Sequence, residues 1–87
     1  MKTYLISYDL AEGGDYEALY EDIKAYGTWA HITESLWAVK TENSAKEVRD
    51  DLAKHFPEGS RYFVIKSGFE AAWNNVMCSS DWLKKNL

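Results

Sequence analysis

Asp9 closes an apolar stretch, residues 3–10 (TYLISYDL), and stands just before the Gly13-Gly14 loop. A carboxylate at the end of a buried strand is held in place yet reaches solvent, which suits a hard cation such as Mg²⁺. One carboxylate alone is a thin site. Two from symmetry mates, facing across a dimer axis, make a stronger one. The same position also lets Asp9 cap the following loop through an Asx-type hydrogen bond. The imidazole of His31 fits a general base, a metal ligand or an ordinary packed strand residue. Glu34 and Ser35 lie where the strand region bends, a place for function or for a simple bulge. His55 ends a helical segment, where it complements the helix dipole.

Other chemistries lack their residues. There is no His-x-x-x-His, Cys-x-x-Cys or Gly-x-Ser-x-Gly pattern, and no Lys-Ser/Thr follows Gly13-Gly14. Zinc sites, serine hydrolase chemistry and phosphate loops are therefore disfavoured. Cys78 is the single cysteine, so no intrachain disulfide forms and a reducing compartment fits. Without a basic or helix-start environment announced around it, it reads as a small buried apolar residue. Asp50-Asp51 reads as a solvated helix face, and Lys84-Lys85 as a solubility feature or a phosphate contact.

The elements that must position these residues follow from the pattern. Residues 3–10 read as a buried strand. Tyr16, Leu19, Tyr20 and Ile23 recur at helical spacing, so 15–26 is an amphipathic helix capped by Asp15 and stopped at Gly27. Residues 28–41 are β-rich, but Trp29, Ile32, Leu36, Trp37 and Val39 do not share one parity. A break near Ile32–Glu34 makes two strands of them. Ser44 and Glu47 form a capping box for a second helix, with Ala45, Val48, Leu52 and Phe56 on one face. Pro57-Glu58-Gly59 turns the chain into a last strand, 61–66.

The order strand, helix, two strands, helix, strand is the ferredoxin-like βαββαβ arrangement, an α+β fold with two helices on one face of an antiparallel sheet. Two helices leave the other face open. In the tail, Phe69, Trp73 and Val76 suggest a short helix, followed by Trp82, Leu83 and Leu87. These residues are expected to pack on the open face or across a dimer interface. One domain is expected over 1–87, with a core at 1–67 and a C-terminal extension at 68–87. Aromatics reach 15% of 87 residues, which helps so short a chain build a core and suggests a self-association surface. Net charge is −4, with Arg49 and Arg61 the only arginines, so the basic footprint of a stand-alone nucleic-acid binder is missing. No apolar run approaches a bilayer span, and Asp9 spoils a signal peptide. The chain reads as cytoplasmic, without a membrane partner.

The strand ending in Tyr8-Asp9 and followed by a helix resembles the first strand of the CRISPR-associated Cas-two family, which closes in Tyr-Asp-Ile or Tyr-Asp-Leu. Thr33-Glu34-Ser35-Leu36-Trp37 resembles its second signature, Gln-x-Ser-Val-Phe. The likeness spans roughly residues 1–67. It implies a ferredoxin-like homodimer, described in that family as a Mg²⁺-dependent endonuclease on RNA or double-stranded DNA, or as the structural centre of spacer integration with an integrase partner. The family assigns the aspartate matching Asp9 to metal binding and catalysis across the dimer axis, with the serine matching Ser35 beside it. The wider superfamily includes stand-alone relatives and VapD-like ribonuclease toxins. Residues 11–22 carry no Arg or Lys where the family has one, and Thr33 stands in place of its Gln.

Overall fold

A computed structural model describes residues 1–68 and 70–87. In chain order these form β1 (Lys2–Asp9), α1 (Tyr16–Lys24), β2 (Trp29–Thr33), β3 (Leu36–Thr41), α2 (Ala45–Leu52), a 3₁₀ turn (Ala53–His55), β4 (Arg61–Lys66) and α3 (Ser80–Asn86). The strands make one sheet in the order β2-β3-β1-β4, with every neighbouring pair antiparallel. It is a mixed α+β domain.

Strand β1 lies inside the sheet and its side chains alternate between two faces. Tyr4, Ile6 and Tyr8 point to the first face, where they meet Trp37 and Val39 of β3, Leu19 and Ile23 of α1, and Val48 and Leu52 of α2. The helices begin where local chemistry dictates. The Asp15 side chain accepts from the Ala18 N–H at 3.1 Å, satisfying a donor that the first turn leaves free. Before α2 the capping box is complete: Glu47 N–H donates to Ser44 Oγ (3.1 Å), and Ser44 N–H to Glu47 Oε1 (2.9 Å). Gly27 follows α1 with φ +93°, a conformation other L residues rarely adopt.

The mixed parity of residues 28–41 has three sources. A register shift falls between His31 and Thr33, and the turn itself occupies Glu34 and Ser35. In β3, moreover, Trp37, Ala38 and Val39 are all buried because both faces of that strand are covered.

The second face is covered by the tail over β2, β3 and part of β1. Leu83 of α3 is 1% exposed and packs with Ala30, Ile32 and Ala38, while Leu5, Leu36, Trp73, Val76, Cys78, Trp82 and Leu87 border the cluster. Thr3 Oγ1 donates to the Asn86 carbonyl at 2.6 Å, and Lys40 Nζ to Asn86 Oδ1 at 3.1 Å. The short helix expected around Trp73 and Val76 is absent. Residues 70–79 form no helix, and Asn75 takes a left-handed φ of +55°. The sequence Asn74-Asn75-Val76 has weak helix propensity, and Trp73 and Val76 reach the sheet one by one instead. Phe69, also assigned to that helix, lies outside the described residues.

His55 does more than face a helix end. Its Nε2 meets Asp22 Oδ2 at 2.6 Å, and Lys54 Nζ reaches the same oxygen at 3.0 Å, tying the end of α2 to α1. His55 and then Lys54 hold the Asp22 carboxyl below the usual carboxylate range.

Replacing Leu83 with Ala is expected to lower unfolding free energy by about 2–5 kcal/mol, read as a drop in urea midpoint. A change within error would mean that α3 does not seal the second face. Because the folded carboxyl of Asp22 is depressed, the stability it contributes is complete above the unfolded value of about 4 and is lost as pH falls through the lower folded value. Asp22→Asn should therefore be less stable than wild type at pH 7 and lose less on acidification below about pH 5. Equal acid sensitivity of the two proteins would assign that loss to other carboxylates.

Candidate functional site

The two residues singled out for chemistry lie at one end of the sheet, where β1 leaves it and the β2–β3 turn caps it. Tyr8 N–H donates to the Ser35 carbonyl at 3.2 Å, so the backbone holds the turn against the residue preceding Asp9. Ser35 is half-buried in that turn. Asp9 is exposed and belongs to the second face, in register with Arg61 of β4. With Ser7, Tyr8, Arg61, Tyr62 and Phe63 it lines a shallow groove of about 230 Å³.

The loop after β1 is held by other groups. Ala11 N–H donates to Ser60 Oγ at 2.8 Å, and Gly14 N–H to the Ala11 carbonyl at 3.1 Å. Among the described residues the Asp9 carboxylate makes no hydrogen bond or ion pair, so it does not serve as the Asx cap that its position also allowed. No three His, Cys, Asp or Glu side chains among those residues converge on one point that could hold a metal ion. The chain thus places a single carboxylate here, that of Asp9, in register with Arg61.

His31 does not join Asp9. It belongs to the first face, where its ring stacks on Trp37 with centroids 4.0 Å apart and planes 9° apart. Its Nε2 lies 3.1 Å from the Glu34 carbonyl. Tyr8 also reaches that carbonyl: its hydroxyl donates at 3.4 Å and accepts from Trp37 Nε1 at 3.1 Å. Burial, and then the Tyr20 hydroxyl, push the Tyr8 phenol well above its ordinary pKa. It stays protonated at neutral pH and acts here as a neutral hydrogen-bonding strut, not as a base. Tyr8, Trp37 and His31 together pin the turn that carries Ser35. These positioning groups share no motif. Their common signal is that each has an aromatic ring with a polar tip in or beside a buried strand, which needs a partner once buried.

The remaining feature of this region is apolar. On the second face the tail stops short of β4, leaving Phe63 62% exposed and Ile65 48% exposed beside Ser7 and Asp9. The last strand expected over 61–66 forms as β4, and its position at the sheet edge leaves the second-face side chains of Tyr62-Phe63-Val64-Ile65 uncovered. Cys78, by contrast, sits half-buried against the apolar cluster under α3.

No family model matches this chain, and no solved structure matches it.

Tyr8→Phe should cost about 1–3 kcal/mol of stability, because it leaves the buried Trp37 indole N–H without its acceptor. Denaturant unfolding followed by tryptophan fluorescence reads this directly. A variant as stable as wild type would show that the strut is dispensable.

Proposed function

We propose that the chain acts as a homodimeric, non-catalytic scaffold of the kind the Cas-two family forms, holding an integrase-type protein partner in the cytoplasm. The observation that carries this reading is the half-covered second face. The tail seals one half, while Phe63 and Ile65 stand exposed on the other, beside an edge strand. Contiguous apolar surface of this kind marks association in a small soluble domain. The ferredoxin-like reading is supported by the element order and by the sheet order β4-β1-β3-β2, with α1 and α2 packed on the same face. No helix among the described residues is long and apolar enough to cross a membrane. A net charge of −4 favours a protein partner, with any duplex contact made through that partner.

A second reading, a Mg²⁺-dependent phosphodiesterase acting on RNA or double-stranded DNA, is favoured by the unpartnered, exposed carboxylate of Asp9 beside the Ser35 turn. Mg²⁺ is commonly held by one or two carboxylates and would there polarise a phosphodiester. Asp9 of a second copy would supply the second carboxylate.

Incubating the purified protein with labelled RNA and duplex DNA, with Mg²⁺ or with EDTA, separates the two, with Asp9→Ala alongside and mass measured by light scattering at micromolar concentration. The scaffold reading expects a dimer and no cleavage. Cleavage that disappears both with EDTA and in Asp9→Ala would transfer the conclusion to the nuclease. A monomer would overturn the scaffold.

A further inference from the structure

The two edges of the sheet are treated differently. At the β2 edge the tail comes alongside, and Met77 N–H donates to the Ile32 carbonyl at 2.9 Å. At the β4 edge, among the described residues, no backbone hydrogen bond is made outward. The ladder fixes which groups stand there. Ser67 N–H donates to the Thr3 carbonyl at 2.8 Å, which makes that position a hydrogen-bonded pair. Antiparallel pairs alternate, so Arg61, Phe63 and Ile65 turn their backbone groups to β1, while Tyr62, Val64 and Lys66 turn theirs to the open edge.

Soluble proteins protect such an edge with charged side chains along it, an inward-pointing charge, a proline, a bulge, a very short strand or a covering segment. Strand β4 has none of these between its ends. Arg61 and Lys66 bracket four consecutive β-forming residues, Tyr62-Phe63-Val64-Ile65. The occupant that fits is the same strand of another copy. Opposed residues in an antiparallel pair share a face, so a two-fold axis normal to the sheet must fall on a residue. With the axis on Phe63, Phe63 meets its own copy on the second face, Tyr62 meets Val64, and Arg61 lays its stem against Ile65. Lys66 then faces Ser60, and no cation faces a cation.

Building on the homodimer reading, we infer that two copies join by antiparallel pairing of their β4 edges about Phe63, making one continuous eight-stranded sheet. Tyr62 and Val64 exchange their free N–H and C=O groups across the seam. The exposed rings of Phe63 bury against each other, and Ile65 is covered by the partner's arginine. This geometry sets three strand spacings and four residues between the two Asp9 positions, about 20 Å. No single metal ion is then shared by them, so this pairing departs from the Asp9 site across the dimer axis that the Cas-two resemblance implies, and the site beside Asp9 stays a surface of each protomer.

Amide hydrogen exchange on the wild-type protein, resolved at Tyr62 and Val64, tests this together with light scattering. The expected result is a dimer in which both amides exchange far more slowly than the exposed loop amides of Glu12 and Gly13. Phe63→Lys should give a folded monomer by circular dichroism and light scattering, with both amides released to fast exchange. A wild-type dimer with fast exchange at Tyr62 and Val64 would overturn the edge geometry while leaving the homodimer reading in place. So would a Phe63→Lys protein that remains dimeric. A wild-type monomer at micromolar concentration would overturn both.

Discussion

A four-stranded sheet has two faces, and an 87-residue chain must cover both of them. Helices α1 and α2 cover the first. Their buried residues, Leu19, Ile23, Val48 and Leu52, close on Tyr4, Ile6, Tyr8, Trp37 and Val39. Among the described residues nothing helical covers the second face before residue 80, and the chain solves this with separately placed side chains from the tail and one short helix. Covering is complete over β2 and β3 and incomplete over β4. The character of the molecule follows from that imbalance: a sealed half, an uncovered apolar half, and a line between them that runs along β1.

Asp9 and Ser35 lie at the end of that line. The residues that fix this end are aromatic with polar tips. Tyr8 and His31 converge on the Glu34 carbonyl, and Trp37 connects the two through a hydrogen bond and a stacked ring. The turn is held from the helix-covered face, while Asp9 stands on the opposite face with Arg61 and Phe63. The exposed carboxylate of Asp9 and the rigidity of the Ser35 turn are therefore separable, since Asp9 and Tyr8 point to opposite sides of one strand.

What the sequence made legible was whatever depends on near neighbours. Asp15 as a cap, the Ser44–Glu47 box and the Gly27 stop are decided within four residues, and each stands where its chemistry places it. The break in 28–41 was visible as a loss of parity, although its cause is shared between a register shift and the double burial of β3. The pairing of Asp9 with Arg61 was not legible, because it depends on strand register across 52 positions of chain. Likewise, Tyr62-Phe63-Val64-Ile65 has the composition of an inner strand, and only the sheet order makes it an edge. In the tail, spacing suggested a helix at Trp73 and Val76. The left-handed Asn75 and the demands of the sheet face prevailed over it.

The hydrogen bond from Thr3 to the Asn86 carbonyl joins residues 83 positions apart. Because α3 follows every strand of the sheet in the chain, the second face can be sealed only after synthesis has passed Asn86. The first core, from Tyr4 to Leu52, has all its parts well before then. In the interval, Ala30, Ile32 and Ala38 lack the cover that Trp73, Val76, Cys78 and Leu83 later supply. Synthesis itself therefore imposes an order on assembly, in which the helix-covered face is built first and the tail closes the sheet last.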